Sequence, residues 1–178
     1  MDSFGKLIEE QIPRLRRYAR ALTRNASIAD DLVQDCLVRA VAKQHLWQMG
    51  TDLRAWLFTI MHNQHVNFVR RSSREGVSVN VEQVASVLPI KSNALPSLEL
   101  RDLRTAIDKL PVEQRQTILL VGLEGMDYES TAKILNVPVG TVRSRLSRGR
   151  AELRKLMGLI EQEDQLLADQ AMLGRRAA

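Results

Sequence analysis

The chain has 178 residues, with 26 lysines and arginines against 21 acids, a formal net charge of +5 and a pI near 9.8. That length fits one domain or two small ones, and 44% apolar residues suffice for packed cores. The single cysteine, Cys36, excludes an internal disulfide and falls among apolar helix positions where a core thiol is common.

No apolar run approaches the roughly 18 residues of a membrane span, and the opening MDSFGKLIEEQ lacks the basic start and apolar core of a secretion signal. The expectation is a cytoplasmic protein without membrane insertion. Its basic balance favours a polyanionic partner. Apolar residues recur in threes and fours and nothing alternates long enough for a sheet, so the predicted fold is all-α.

The first helical segment covers Ser3 to Arg24, with Leu7, Ile8, Ile12, Leu15, Tyr18, Ala19 and Leu22 at core spacing and Pro13 expected to kink or restart it. Ser27 followed by Asp30 resembles a capping box and opens a second helix to Lys43, with Leu32, Val33, Cys36, Leu37, Ala40 and Val41 inward. After the loop QHLWQMGTD, Thr51 or Asp52 can cap a third helix reaching Arg71, with Leu53, Trp56, Leu57, Ile60, Gln64 and Phe68 on its packed side. From Glu75 to Pro96 the chain carries few charges, two prolines and no sustained period, the composition of a flexible linker between two small helical domains.

The second domain is expected over residues 97–158. A helix runs to Lys109, another starts at Pro111, and Gly125 breaks the chain before Asp127, a good cap for the short helix YESTAKIL. Asn136 suits a left-handed turn, and Pro138 stands where the last helix begins. A short helix, a three-residue turn and a longer basic helix outline a helix-turn-helix, with Ala132 small enough for a close helix crossing.

On that last helix, residues 100° apart sort into faces. Val142, Leu146, Gly149, Leu153 and Leu156 form the packing side. Opposite lies a strip of Ser144, Ser147 and Ala151, bordered by Arg143, Arg150 and Arg154 on one edge and by Arg145, Arg148 and Lys155 on the other. Small residues allow close approach to base edges while long cations reach the phosphates on both groove walls. An ordinary solvated face mixes signs along its helix. This one is nearly single-signed, and its apolar side lacks the aromatic anchors of a membrane-surface helix.

Thr59, Asn63, Asn67, Arg70 and Arg71 share a face of the third helix. Asparagine is a poor interior helix former, so two in line above a basic pair point to a contact, with amides for base edges and arginines for phosphates. A plain polar surface remains the alternative. His62 and His65 lie three apart, but no neighbouring acid or cysteine completes a metal set. No phosphate loop, nucleophile motif or carboxylate pair supports catalysis, so neither an enzyme nor a cofactor is expected.

The runs DDLVQDCLVRA, DLRAWLFTIMHNQHVNFVRR and LPVEQRQTILLVGLEGMDYESTAKILNVPVGTVRSRLSRGRAEL, in that order, resemble the compact two-domain bacterial sigma factors of the extracytoplasmic-function group. The resemblance covers nearly all of residues 10 to 157. The wording GTDLRAWLFTIMHN is most similar to the branch used in general stress responses.

The resemblance implies a dissociable subunit that binds core RNA polymerase, reads two promoter elements about two helical turns apart and helps open promoter DNA. It divides the chain into a region 2 domain over 1–74, a linker over 75–96, a region 4 domain over 97–158 and a tail over 159–178 with no assignable role. It makes Asp30, Asp31, Gln34 and Asp35 contacts to core polymerase, although Asp30 and Asp31 equally suit a helix start. It places Trp47, Asn63, Asn67, Arg70 and Arg71 at the minus-ten element, where an unstacked base would be held by stacking and edge contacts. Trp47 reads equally as a lid on the core.

At the minus-thirty-five element it places Arg143, Ser144, Arg145, Ser147 and Arg148, with Gly140 and Thr141 facing phosphate at the helix start. An anti-sigma factor is the further partner that such proteins imply. The competing readings are a sigma-like decoy that sequesters an anti-sigma factor, which has no need of groove-facing arginines, and a conventional helix-turn-helix repressor, which leaves the first domain unexplained.

Overall fold

The computed structural model describes residues 3–74 and 98–158; the stretch read as a linker and the tail beyond residue 158 lie outside the described residues. Among the described residues all regular structure is helical. The α-helices are α1 (Ser3–Thr23), α2 (Ala26–Ala42), α3 (Leu53–Arg74), α4 (Leu98–Lys109), α5 (Val112–Ile118), α6 (Tyr128–Leu135) and α7 (Val139–Leu156). A 3-10 turn, Gln44–Leu46, lies between α2 and α3, and α5 runs on into a wider π turn, Leu119–Leu123.

The contacts form two compact units that interleave along the chain, one spanning Met1–Ile90 with Leu119–Arg143 and the other Lys91–Ile118 with Ser144–Ala178. In the first unit α1, α2 and α3 pack on one another, the π turn packs on α1, and α6 packs on α3. Its core joins Leu15, Tyr18, Ala19 and Leu22 of α1 with Ala29, Leu32, Val33, Cys36 and Ala40 of α2 and Leu53, Leu57, Phe58 and Met61 of α3, all buried. Tyr18 meets Phe58 edge-on with ring centroids 5.1 Å apart.

Several local expectations change in the structure. Pro13 neither restarts nor ends α1, which runs through it. The cap of α2 is Asn25, whose Oδ1 accepts from the Ile28 amide at 3.0 Å, and not Ser27, which lies one turn-position inside the helix. Arg24, at φ 59, turns the chain so that the side chain of Asn25 meets the first free amides. Asp52, of the two candidate caps for α3, accepts from the Ala55 amide at 3.0 Å.

The buried arc of α3 is wider than a one-sided pattern indicates. His62, Gln64 and His65 are buried with Phe58 and Met61, while Phe68 is 41% exposed. The reason is that α3 has neighbours on several sides, namely α1, α2 and α6. Val41, expected inward on α2, is 57% exposed.

In the second unit α7 approaches α5 closely at Gly149. A Cβ there would lie 2.6 Å from Ile118 Cδ1 and 3.3 Å from Gln114 Cβ. Arg115 of α5 is buried and donates to the carbonyls of Leu110 at 2.9 Å and Asp108 at 3.3 Å. It thereby satisfies acceptors left open where α4 ends.

Candidate nucleic-acid interface

The basic helix is set up by local chemistry on either side of the turn that precedes it. Gly125 takes φ 66, and Asp127 then caps α6, its Oδ1 accepting from the Ser130 amide at 2.7 Å and its Oδ2 from the Ser130 hydroxyl at 2.9 Å. These bonds hold the Asp127 carboxyl below its usual pKa range. At the other end Asn136 adopts the left-handed conformation, φ 52 and ψ 51, and the Val137 amide donates back to the Ala132 carbonyl at 3.0 Å. The Pro138 carbonyl accepts from the amides of Thr141 and Val142, starting α7 one residue after the proline.

On α7, Val142, Leu146 and Gly149 are buried, and Arg143, Ser144, Ser147, Arg148 and Arg150 are exposed. Gly140 is exposed at the helix start and Thr141 is half-buried. Arg148 folds back along its own helix, donating through Nε to the Ser144 carbonyl at 3.3 Å and through Nη2 to the Ser144 hydroxyl at 3.4 Å. Arg145 differs from its neighbours. Its side chain is 19% exposed, and Nη2 lies 3.2 Å from Glu113 Oε2 on α5.

On α3, Asn63, Asn67, Arg70 and Arg71 all lie exposed on one face, and Thr59 at its upper end is half-buried, donating to the Ala55 carbonyl at 2.8 Å. Trp47 lies in the loop before α3. Its ring packs 5.4 Å from that of Phe4, and its Nε1 is buried without a hydrogen-bond partner. Phe4 also meets Trp56 edge-on at 6.4 Å. Asp31, Gln34 and Asp35 are exposed on α2, and Asp30, half-exposed, lies 3.9 Å from Arg20.

Sequence reasoning passed over one constellation. The Glu124 side chain is fully buried beneath Arg17, whose Nε donates to Oε1 at 3.0 Å and whose Nη2 donates to Oε2 at 2.9 Å. Arg17 Nη2 also reaches the Leu123 carbonyl at 3.4 Å, and Arg54 Nη1 donates to the Glu124 carbonyl at 3.2 Å. The hydrogen bond to Glu124 raises the Arg17 pKa; burial first, and the same carboxylate second, raise that of the Tyr18 phenol. With a separation of 107 residues between Arg17 and Glu124, no local pattern could have signalled the pair.

Comparison with known proteins decides what these helices belong to. Residues 8–62 match the family described as the Sigma2 domain of PhyR, and residues 100–153 match Sigma-70, region 4. The chain is 39% identical over 92% of its length, and 90% of the relative's, to the ECF RNA polymerase sigma factor EcfG of Rhodopseudomonas palustris. The chain belongs to the extracytoplasmic-function RNA polymerase sigma factors.

A second relative, the sigma factor SigE of Mycolicibacterium smegmatis, is 34% identical over 86% of this chain and is matched over 61% of its own length. Among solved structures, the sigma factor RpoE of Bartonella quintana, determined with the anti-sigma factor NepR, superposes with a TM-score of 0.77 at 36% identity, covering 89% of this chain and 98% of that one. CnrH, determined with the cytosolic domain of CnrY, superposes with a TM-score of 0.63 at 26% identity, covering 88% of each chain. As a sigma factor the protein binds core RNA polymerase and directs promoter recognition and transcription initiation. Among the described residues no helix is long and apolar enough to cross a membrane, and no cluster of three or more His, Cys, Asp or Glu side chains could hold a metal.

Proposed function

We propose that this sigma factor divides its work between a region 2 domain over residues 1–74 and a region 4 domain over residues 97–158. Residues 75–96 join them. Asn63, Asn67, Arg70 and Arg71 on α3 would meet the melted minus-ten strand. Arg143, Ser144, Ser147 and Arg148 on α7 would meet the minus-thirty-five duplex, with Gly140 and Thr141 near phosphate at the helix start. Asp31, Gln34 and Asp35, with Asp30 beside them, would dock on core polymerase.

The observation that carries the reading is the exposed, nearly single-signed face of α7, in which a strip with Ser144 and Ser147 is bordered by Arg143 and Arg148. Long cations around small residues suit a major groove better than bulk water. Arg145, drawn onto Glu113, would serve this face less directly than its neighbours.

The protein has no chemistry of its own to perform, because the polymerase makes the bonds; it is a cytoplasmic regulator and not an enzyme. The relatives solved with NepR and CnrY support an anti-sigma factor as a further partner. Core polymerase reconstituted with this protein should give run-off transcripts from a matching promoter, and Arg148→Ala should remove most of them. Silence of the wild-type chain across a promoter library would refute the reading.

The match of residues 8–62 to a PhyR domain favours one second reading, a decoy that binds an anti-sigma factor only. In that case Arg148→Ala would leave every function of the chain intact.

A further inference from the structure

Arg145 and Arg148 border the same edge of the α7 strip, but their side chains have different partners. Arg148 donates to the carbonyl and the hydroxyl of Ser144, both neutral acceptors one turn away on its own helix. Arg145 meets a full opposite charge on another helix, its Nη2 lying 3.2 Å from Glu113 Oε2 on α5. The Arg145 side chain is 19% exposed and that of Glu113 is 70% exposed. The carboxylate therefore stays in water while the guanidinium is largely covered.

The close approach of α5 and α7 makes this pairing possible. One turn beyond Arg145 stands Gly149, where a Cβ would lie 2.6 Å from Ile118 Cδ1 and 3.3 Å from the Cβ of Gln114, the residue after Glu113. Glu113 thus reaches Arg145 from a helix that carries none of the residues assigned to DNA. An arginine on the edge of a groove-facing strip binds phosphate whatever the sequence. A carboxylate already seated on the guanidinium competes with phosphate for it, and beside a duplex that carboxylate is itself repelled.

We propose that Glu113 is an internal counter-ion for Arg145, a positioning residue that keeps this cation off the phosphates and so limits how tightly α7 holds DNA of any sequence. This rests on the assignment of α7 to duplex DNA. An ion pair with one exposed partner contributes little to stability and is screened by salt, so this pair suits competition with phosphate better than a part in holding the fold. Ser144, Ser147, Arg143 and Arg148 stay exposed beside it, and reading of the bases is left to them.

Glu113→Gln keeps the shape of the side chain and removes its charge. In the test the full chain, with and without this change, is titrated against a promoter duplex and a duplex of scrambled sequence between about 50 and about 200 mM salt. Glu113→Gln should tighten binding to both duplexes by a similar factor, about threefold at the low-salt end, and should steepen the log–log slope by about 0.9, the mark of one added phosphate contact. A purely structural role for Glu113 predicts the opposite direction, a lower melting temperature with weaker binding. In an Arg145→Ala background Glu113→Gln should leave affinity and slope where Arg145→Ala alone puts them.

An unchanged slope in Glu113→Gln overturns the proposal. So does steepening that persists in the Arg145→Ala background, since Glu113 then acts on DNA by its own charge and not through Arg145. Tightening confined to the promoter duplex also overturns it, because Arg145 is then a reader of bases. The assignment of α7 to DNA fails separately, through Arg143→Ala and Arg148→Ala leaving the slope unchanged.

Discussion

Gly149 shows how much one hydrogen atom in place of a methyl can decide. It faces Ile118 so closely that an alanine Cβ would stand 2.6 Å from Cδ1, inside any real contact distance, with Gln114 Cβ 3.3 Å away on the same helix. Overpacking of this kind costs about 1–3 kcal/mol. Gly149→Ala should therefore lower the melting temperature although alanine is the better helix former, and Ile118→Val in the same chain should recover part of the loss by removing Cδ1. A Gly149→Ala protein as stable as the parent would show that Ile118 turns its Cδ1 aside and makes room for the methyl. The helical period alone puts Gly149 on the packing face of α7. What it meets there cannot be read from the period, because Ile118 lies 31 positions earlier on another helix. The same limit explains Arg145, which the period places beside Arg148 on a groove edge and which Glu113 draws back toward α5.

Helix ends are where sequence signals compete. Ser27 and Asp30 have the spacing of a reciprocal cap, yet Asn25 caps α2, because the chain turns at Arg24 and presents Asn25 to the first free amides. Replacing a capping asparagine by alanine costs about 1 kcal/mol. Asn25→Ala should thus reduce stability to urea by about that amount, whereas Ser27→Ala, inside the helix, should change it by less than about 0.5 kcal/mol. The reverse order would mean that the capping box forms. Capping of α6 by Asp127 and its exit through Asn136 were both apparent in the sequence, since each rests on one residue's own side chain and backbone preference. The burial of His62 and His65 was not, since it depends on α3 having several neighbours at once.

At the level of the complete chain the governing quantity is charge on DNA. Phosphate neutralisation releases counterions, so binding weakens with salt by a log–log slope of about 0.9 for each phosphate engaged. Arg143→Ala and Arg148→Ala should each flatten the slope by about that amount in equilibrium titrations against promoter duplex. Arg145→Ala should flatten it by less than either, since its guanidinium is already paired with Glu113. Equal flattening by all three would mean that Glu113 lets go on DNA.

The all-helical architecture, the helix-turn-helix and the two polar stripes followed from residue spacing, because each is a property of one helix or one turn. The ion pair between Arg17 and Glu124 could not follow in this way. Cys36 has a practical consequence for labelling the chain. It is fully buried, its Sγ lies 3.4 Å from the Leu57 carbonyl, and burial pushes the thiol up to about 12. At neutral pH almost none of it is thiolate, the form that attacks maleimides. Reporter groups can therefore be attached at introduced surface cysteines with the native one left in place, and the core around it need not be disturbed to follow the chain by fluorescence.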